Sequence, residues 1–142
     1  MRKPRTEADL TIHDGSYRSF EWYWAPDNSM PALDVFEALS KPVQDDFLAS
    51  VEHWGGIEIG KRPAQSRVNQ ENEDPLIVAV KAGKHRFTSF REESGPTWIV
   101  CDYYVKEGEK RDKAGDRAVK RTIDIRKTYF ESVRAGKYYE RG

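Results

Sequence analysis

The chain has 142 residues, enough for one domain with a real core and too few for two. Its 24 basic and 24 acidic residues leave a net charge of zero, which excludes a global field steering it toward nucleic acid or membrane, and 12% aromatic content excludes general disorder. Charge is nonetheless uneven: residues 31–60 hold six acids to one base, and residues 110–142 hold eleven bases to five acids.

Residues 1–16 are polar and are expected to form a flexible N-terminal arm. The start MRKPRTEADL has no apolar run behind its basic residues, so no signal peptide is expected. The longest apolar run, LIVAV at 76–80, is too short for a bilayer, and a cytoplasmic location is expected. Residues 17–24 (YRSFEWYW) read as a first strand with Phe20, Trp22 and Trp24 toward the core. A turn follows at 25–29. Leu33, Phe36 and Leu39 then mark one helix, Ser40-Lys41-Pro42 a break and restart, and Val43, Phe47, Val51 and Trp54 a second helix ending at Gly55-Gly56. The pair reads as a helical hairpin with an acidic outer face. Residues 57–74 keep no period and are expected to be a long polar connection.

Three antiparallel strands follow: LIVAVK (76–81), HRFTSFR (85–91) and TWIVCDYYVK (97–106). Ala82-Gly83-Lys84 makes the first hairpin connection and residues 92–96 the second. Alternation puts His85, Phe87, Ser89 and Arg91 on one face of the second strand and Arg86, Thr88 and Phe90 on the other. In the third strand it sets Trp98, Val100, Asp102, Tyr104 and Lys106 against Ile99, Cys101, Tyr103 and Val105. The sheet is expected to have one buried face and one bearing cations, Tyr and His. The single cysteine, Cys101, reads as a small core residue. A last helix is expected over 116–134, capped by Asp112 or Asp116 and stopped at Gly136, with a tail over 135–142. A lone first strand must join the later hairpins. The expected fold class is therefore α+β: an antiparallel four-stranded sheet with a mixed edge, an N-terminal helical hairpin and a C-terminal helix, in a single domain over 17–134.

His13, His53 and His85 are scattered and carry no metal-ligand spacing, so no metal or other cofactor is expected. Phosphate-binding glycine loops, a nucleophile elbow and a paired-carboxylate site are all absent. What remains is a set of cations at strand ends: Lys81, Lys84, Arg86, Arg91, Lys106, Lys110, Arg111 and Lys113. Any one of them is most simply a solvated surface residue. Together with Tyr104 and His85 they suit a phosphate backbone. RNA carries its own nucleophile, the 2′-OH. Its cleavage needs a proton acceptor, stabilisation of the phosphorane and a proton for the leaving 5′-oxygen, and crowded Lys and Arg can supply these. Crowding also lowers a lysine pKa through like-charge repulsion.

Two segments carry a family resemblance. VKAGKHRFTSF (80–90) is similar to the pattern of the RelE/HigB-like toxins of type II toxin–antitoxin systems, particularly the phage-derived HigB-like branch: a basic residue ends one strand, a Gly hairpin follows, and an aromatic-Arg pair opens the next. Lys81 matches the basic residue, and His85-Arg86 stands where the aromatic-Arg pair is usual. DYYVKEGEKRDKAGDRAVKR (102–121) resembles the family's lysine-bearing strand end, loop and helix, with Lys106 and Lys110 matching the lysines and Ala118 an early helical alanine. The resemblance implies a RelE/ParE-like fold and a metal-independent endoribonuclease, an mRNA interferase acting on ribosome-bound mRNA. It also implies a cognate antitoxin, a small DNA-binding protein, as partner. Carried over, Lys81 and Arg86 hold the scissile phosphate. Lys106 joins them in catalysis, with His85 as an acid–base candidate. On the same reading Lys110 contacts the RNA backbone or takes part in proton transfer, and Tyr104 stacks on a base; Lys84, Arg91, Arg111 and Lys113, as cations of the same sheet and loop, are expected to bind RNA as well. The alternative expectation is a non-catalytic module of the same fold that binds a protein or nucleic acid.

Overall fold

A computed structural model describes residues 6–93, 95–108 and 113–138. In chain order the elements are α1 (Glu7–Leu10), β1 (Thr11–Asp14), β2 (Ser19–Trp22), α2 (Pro31–Ala38), α3 (Lys41–Gly55), β3 (Val68–Asn72), β4 (Ile77–Ala82), β5 (His85–Arg91), β6 (Thr97–Val105) and α4 (Lys113–Arg134). The expected four-stranded sheet is corrected to a six-stranded mixed sheet of order β1-β2-β6-β5-β4-β3. β2 runs parallel to β6, and every other neighbouring pair is antiparallel. The two added strands are the edges. Residues 11–14, within the segment expected as an arm, pair with β2, and residues 68–72, within the expected connection, pair with β4. Both are short and polar and are held by backbone hydrogen bonds to an apolar neighbour, so neither shows a hydrophobic signature of its own.

Both faces of the sheet are covered, which corrects the expectation of one open face. On one side α2 and α3 pack through aromatic rings. Phe47 lies 4.5 Å from Phe87 and 5.6 Å from Trp22, Phe36 lies 5.3 Å from Trp22, and Trp54 lies 4.5 Å from Trp98, all centroid to centroid. Such pairs contribute about 0.5–1.5 kcal/mol each beyond the area they bury. On the other side α4 sets Tyr129 and Phe130 against Phe90, and the Thr122 hydroxyl meets that of Thr88 at 2.7 Å. Residues 87–90 of β5 are therefore all buried. The structure is a three-layer sandwich with the sheet in the middle.

A bulge changes the phase of β6. Thr88 pairs with Asp102 and Ser89 with Val100, leaving Cys101 as the extra residue. Trp98 and Val100 keep to the α3 side. Beyond the bulge Asp102 turns to α4, where its carboxylate accepts from Arg121 Nε at 2.5 Å. Strict alternation from Trp98 to Lys106 therefore fails at Cys101. Cys101 is the buried core residue expected, and full burial pushes its thiol pKa up to about 12.

The helix boundaries follow local chemistry. The Gln44 side-chain amide donates to the Phe36 and Leu39 carbonyls at 2.8 and 3.2 Å, tying the end of α2 to the start of α3. Ser40 holds the N-cap position of α3 without a side-chain bond, and Gly136, at φ +68°, follows the end of α4. Asp116 lies inside the first turn of α4 rather than at its cap; Asp112 falls outside the described residues. In the segment expected as a tail, Tyr138 is buried between Trp24 and Tyr129, and its hydroxyl oxygen accepts the Trp24 N–H at 3.0 Å.

Candidate functional site

Strand register brings part of the expected set together. Lys81 on β4 is directly opposite Arg86 on β5, and Arg86 is opposite Tyr104 on β6. Directly paired residues share a face. The three form one row on the α4 side of the sheet, at the end where α4 begins. Lys106 follows two residues after Tyr104, and its backbone N–H donates to the Lys84 carbonyl at 2.8 Å. Lys81, Arg86 and Lys106 are all partly buried. A two-residue turn, Gly83-Lys84, joins β4 to β5; Gly83 at φ +61° supplies the left-handed position that a type II′ hairpin requires.

The row is fixed from both flanks. From β3, the Glu71 carboxylate accepts a hydrogen bond from the Tyr104 hydroxyl. From α4, Gly115 lies flat against the Tyr104 ring, where a Cβ would come within 3.2 Å of it. Lys81 Nζ donates to the Gln65 carbonyl at 2.5 Å, and the Arg86 guanidinium donates to the Gly83 carbonyl. Partial burial, then Arg86, then Lys106 hold the Lys81 ammonium pKa below the ordinary lysine value, with Glu71 opposing the shift. A lysine of lowered pKa beside two cations can accept a proton while its neighbours hold an anion.

The other expected residues lie elsewhere. His85 is on the α3 side of β5, where its Nδ1 meets the Tyr103 hydroxyl at 2.5 Å and the two rings stack at 5.8 Å. Burial and the Lys84 charge lower its pKa, and burial raises that of Tyr103. The sheet thus lies between His85 and the Lys81–Arg86 row. Lys84 is exposed at the hairpin tip and Lys113 is exposed at the start of α4. Arg91 is at the opposite end of β5, about 20 Å from His85 at ~3.4 Å per residue, beside a groove of ≈ 390 Å³ lined with Arg18, Trp98 and Arg126. Lys110 and Arg111 lie outside the described residues.

Glu71 and Gln65 were hidden in the segment read as a polar connection. The available signal was the turn cluster Asn72-Glu73-Asp74-Pro75 between Val68 and the LIVAV run, which marks a hairpin. Among the described residues no group of three His, Cys, Asp or Glu side chains is placed to hold a metal ion, and no helix is long and apolar enough to cross a membrane. Comparison with family models, with curated proteins and with solved structures gives no match to this chain.

Proposed function

We propose that this protein is an endoribonuclease of the toxin–antitoxin type, cutting mRNA by internal attack of a 2′-oxygen on the adjacent phosphate. The observation that carries the reading is the Lys81–Arg86–Tyr104 row with Lys106 beside it. The likeness of residues 80–90 and 102–121 to RelE/HigB-like toxins adds support. In the proposed reaction neutral Lys81 takes the 2′-OH proton. The 2′-oxygen bonds to phosphorus, and the P–O5′ bond breaks. The Lys106 ammonium gives its proton to the departing 5′-oxygen. Arg86 faces the phosphorane oxygens as negative charge builds on them. The products are a 2′,3′-cyclic phosphate and a 5′-hydroxyl. Tyr104 and Glu71 act as positioning residues that hold β6 and β3 around the row. The physiological setting on this reading is ribosome-bound mRNA, with an antitoxin that silences the protein by covering the basic face.

One observation favours the second reading, a non-catalytic binding module. Lys81 and Arg86 each already donate to a backbone carbonyl, as cations that only brace the hairpin end would. Inducible expression in a bacterium, with Lys81→Ala/Arg86→Ala beside the unmodified chain and primer extension on a reporter mRNA, separates the two. Growth arrest with new 5′ ends, both lost in the double variant, supports the ribonuclease. Soluble, folded protein with neither arrest nor cuts leaves the binding module.

A further inference from the structure

The zero net charge conceals two oppositely charged layers. α2 and α3 carry five acids and one base, a net of −4, on one side of the sheet. α4 carries seven bases and three acids, a net of +4, on the other. Three of the α4 bases have local work: Arg121 pairs with Asp102 at 2.5 Å, Arg134 pairs with Glu93 at 3.6 Å, and Arg126 lies 4.8 Å over the Phe130 ring. The other four, Lys113, Arg117, Lys120 and Lys127, are exposed and make no side-chain ion pair among the described residues.

Those four fall at helical spacing on a single stripe, opposite the buried positions Ala118, Thr122 and Tyr129. The stripe is about 21 Å long at 1.5 Å per residue, and Asp116 and Asp124 interrupt it. It begins one helix thickness from the candidate site: the first turn of α4 carries Lys113 on its outer face and, on its inner face, Gly115, which touches the Tyr104 ring. Site and stripe share one side of the sandwich, and the acidic layer is on the other. A polyanion meeting this molecule is attracted by one layer and repelled by the other, so net neutrality does not prevent oriented binding.

We propose that the Lys113–Arg117–Lys120–Lys127 stripe binds the single-stranded RNA that flanks the scissile phosphate, an inference that rests on the ribonuclease reading of the adjoining row. Lysines and arginine spaced along a helix neutralise successive phosphates without reading bases. The flank therefore adds affinity and salt dependence, not sequence preference.

The test measures binding of a long single-stranded RNA made uncleavable by 2′-O-methyl sugars, over a range of salt, with sedimentation in parallel. The proteins are the unmodified chain, Lys120→Ala/Lys127→Ala and Lys81→Ala/Arg86→Ala. Each lost phosphate contact removes about 0.7 from the slope of log affinity against log salt, so the stripe variant is expected to lose about 1.4. An unchanged slope in that variant overturns the proposal, as does failure of the unmodified chain to bind at low salt. A reduced slope in the stripe variant, with the unsubstituted RNA cleaved equally by the unmodified chain and the row variant or by neither, keeps the stripe and removes the ribonuclease reading beneath it. Low-salt self-association that the stripe variant abolishes, without RNA binding, makes the occupant the acidic layer of a second copy and also overturns the proposal.

Discussion

Lys81 stands directly across the β4–β5 pair from Arg86, two cations held side by side on neighbouring strands at the mouth of a hairpin. The arrangement disfavours a proton on Lys81, whose pKa is lowered by partial burial, by Arg86 and by Lys106. In the unfolded chain it returns to about 10.4. Between the depressed folded value and that figure the unfolded state binds more protons. Stability therefore rises with pH across this window and is lowest, for this group, at lower pH, where both states are protonated. Lys81→Met should flatten the rise, and Arg86→Gln should shrink it by letting the Lys81 pKa move back up. Urea midpoints taken from neutral to alkaline pH report both; an identical rise in all three proteins would show that Lys81 does not titrate differently on folding.

The two faces of β5 predict a division of labour. Arg86 is in the row, whereas His85 is across the sheet, bonded to Tyr103. Arg86→Ala should lower RNA cleavage by about 10²–10³-fold, the usual loss for a fixed group facing developing charge. His85→Asn should leave the rate within a small factor. Equal losses, measured on one RNA at saturating concentration, would place His85 among the reacting groups.

Thr88 and Thr122 form a wholly buried hydroxyl pair between β5 and α4. Thr122→Val leaves the Thr88 hydroxyl without that partner and should cost about 1–3 kcal/mol. Thr88→Val/Thr122→Val removes both polar groups and should recover most of the loss. Denaturant unfolding of the three proteins checks the sign of the coupling; strictly additive losses would argue against a mutual bond.

Gly115→Ala sets two effects against each other. Alanine gains about 1 kcal/mol of helix propensity over glycine. Its methyl group, however, would meet the Tyr104 ring at 3.2 Å, and that ring is held from behind by Glu71. Because Tyr104 has little room to retreat, the variant should be less stable than the parent, and Glu71→Ala should relieve part of the penalty in the double variant. A gain in thermal midpoint for Gly115→Ala alone would mean that the ring yields.

The interior of the fold is legible in the sequence where burial and period coincide. β4, β5, β6 and α3 have apolar runs long enough to declare themselves, and Gly83 marks the tight turn between two of them. The edges are different. Only Val68 of β3 is buried, and β1 is four residues of mixed polarity, so their strand character comes from a neighbour's backbone that lies far along the chain. The bulge at Cys101 is invisible for a related reason: the extra residue is apolar and buried like those around it. At the candidate site, the Lys81–Arg86 opposition follows from the hairpin alone, while the Glu71 bond to Tyr104 needs β3 to exist first. His85 sits next to Arg86 in sequence, yet the pleat sends the two to opposite layers.

The parallel pairing of β2 with β6 joins Ser19 to Thr97 and Trp22 to Val100. Closing so long a loop precedes any reward from the contact, and topologies rich in distant pairings fold slowly. During synthesis the first strand must therefore wait until residues 97–100 have left the ribosome before its partner exists. Tyr104 and Lys106 lie later still. The cation row thus cannot assemble before β6 has emerged, and the pairing that completes the sheet also completes the row.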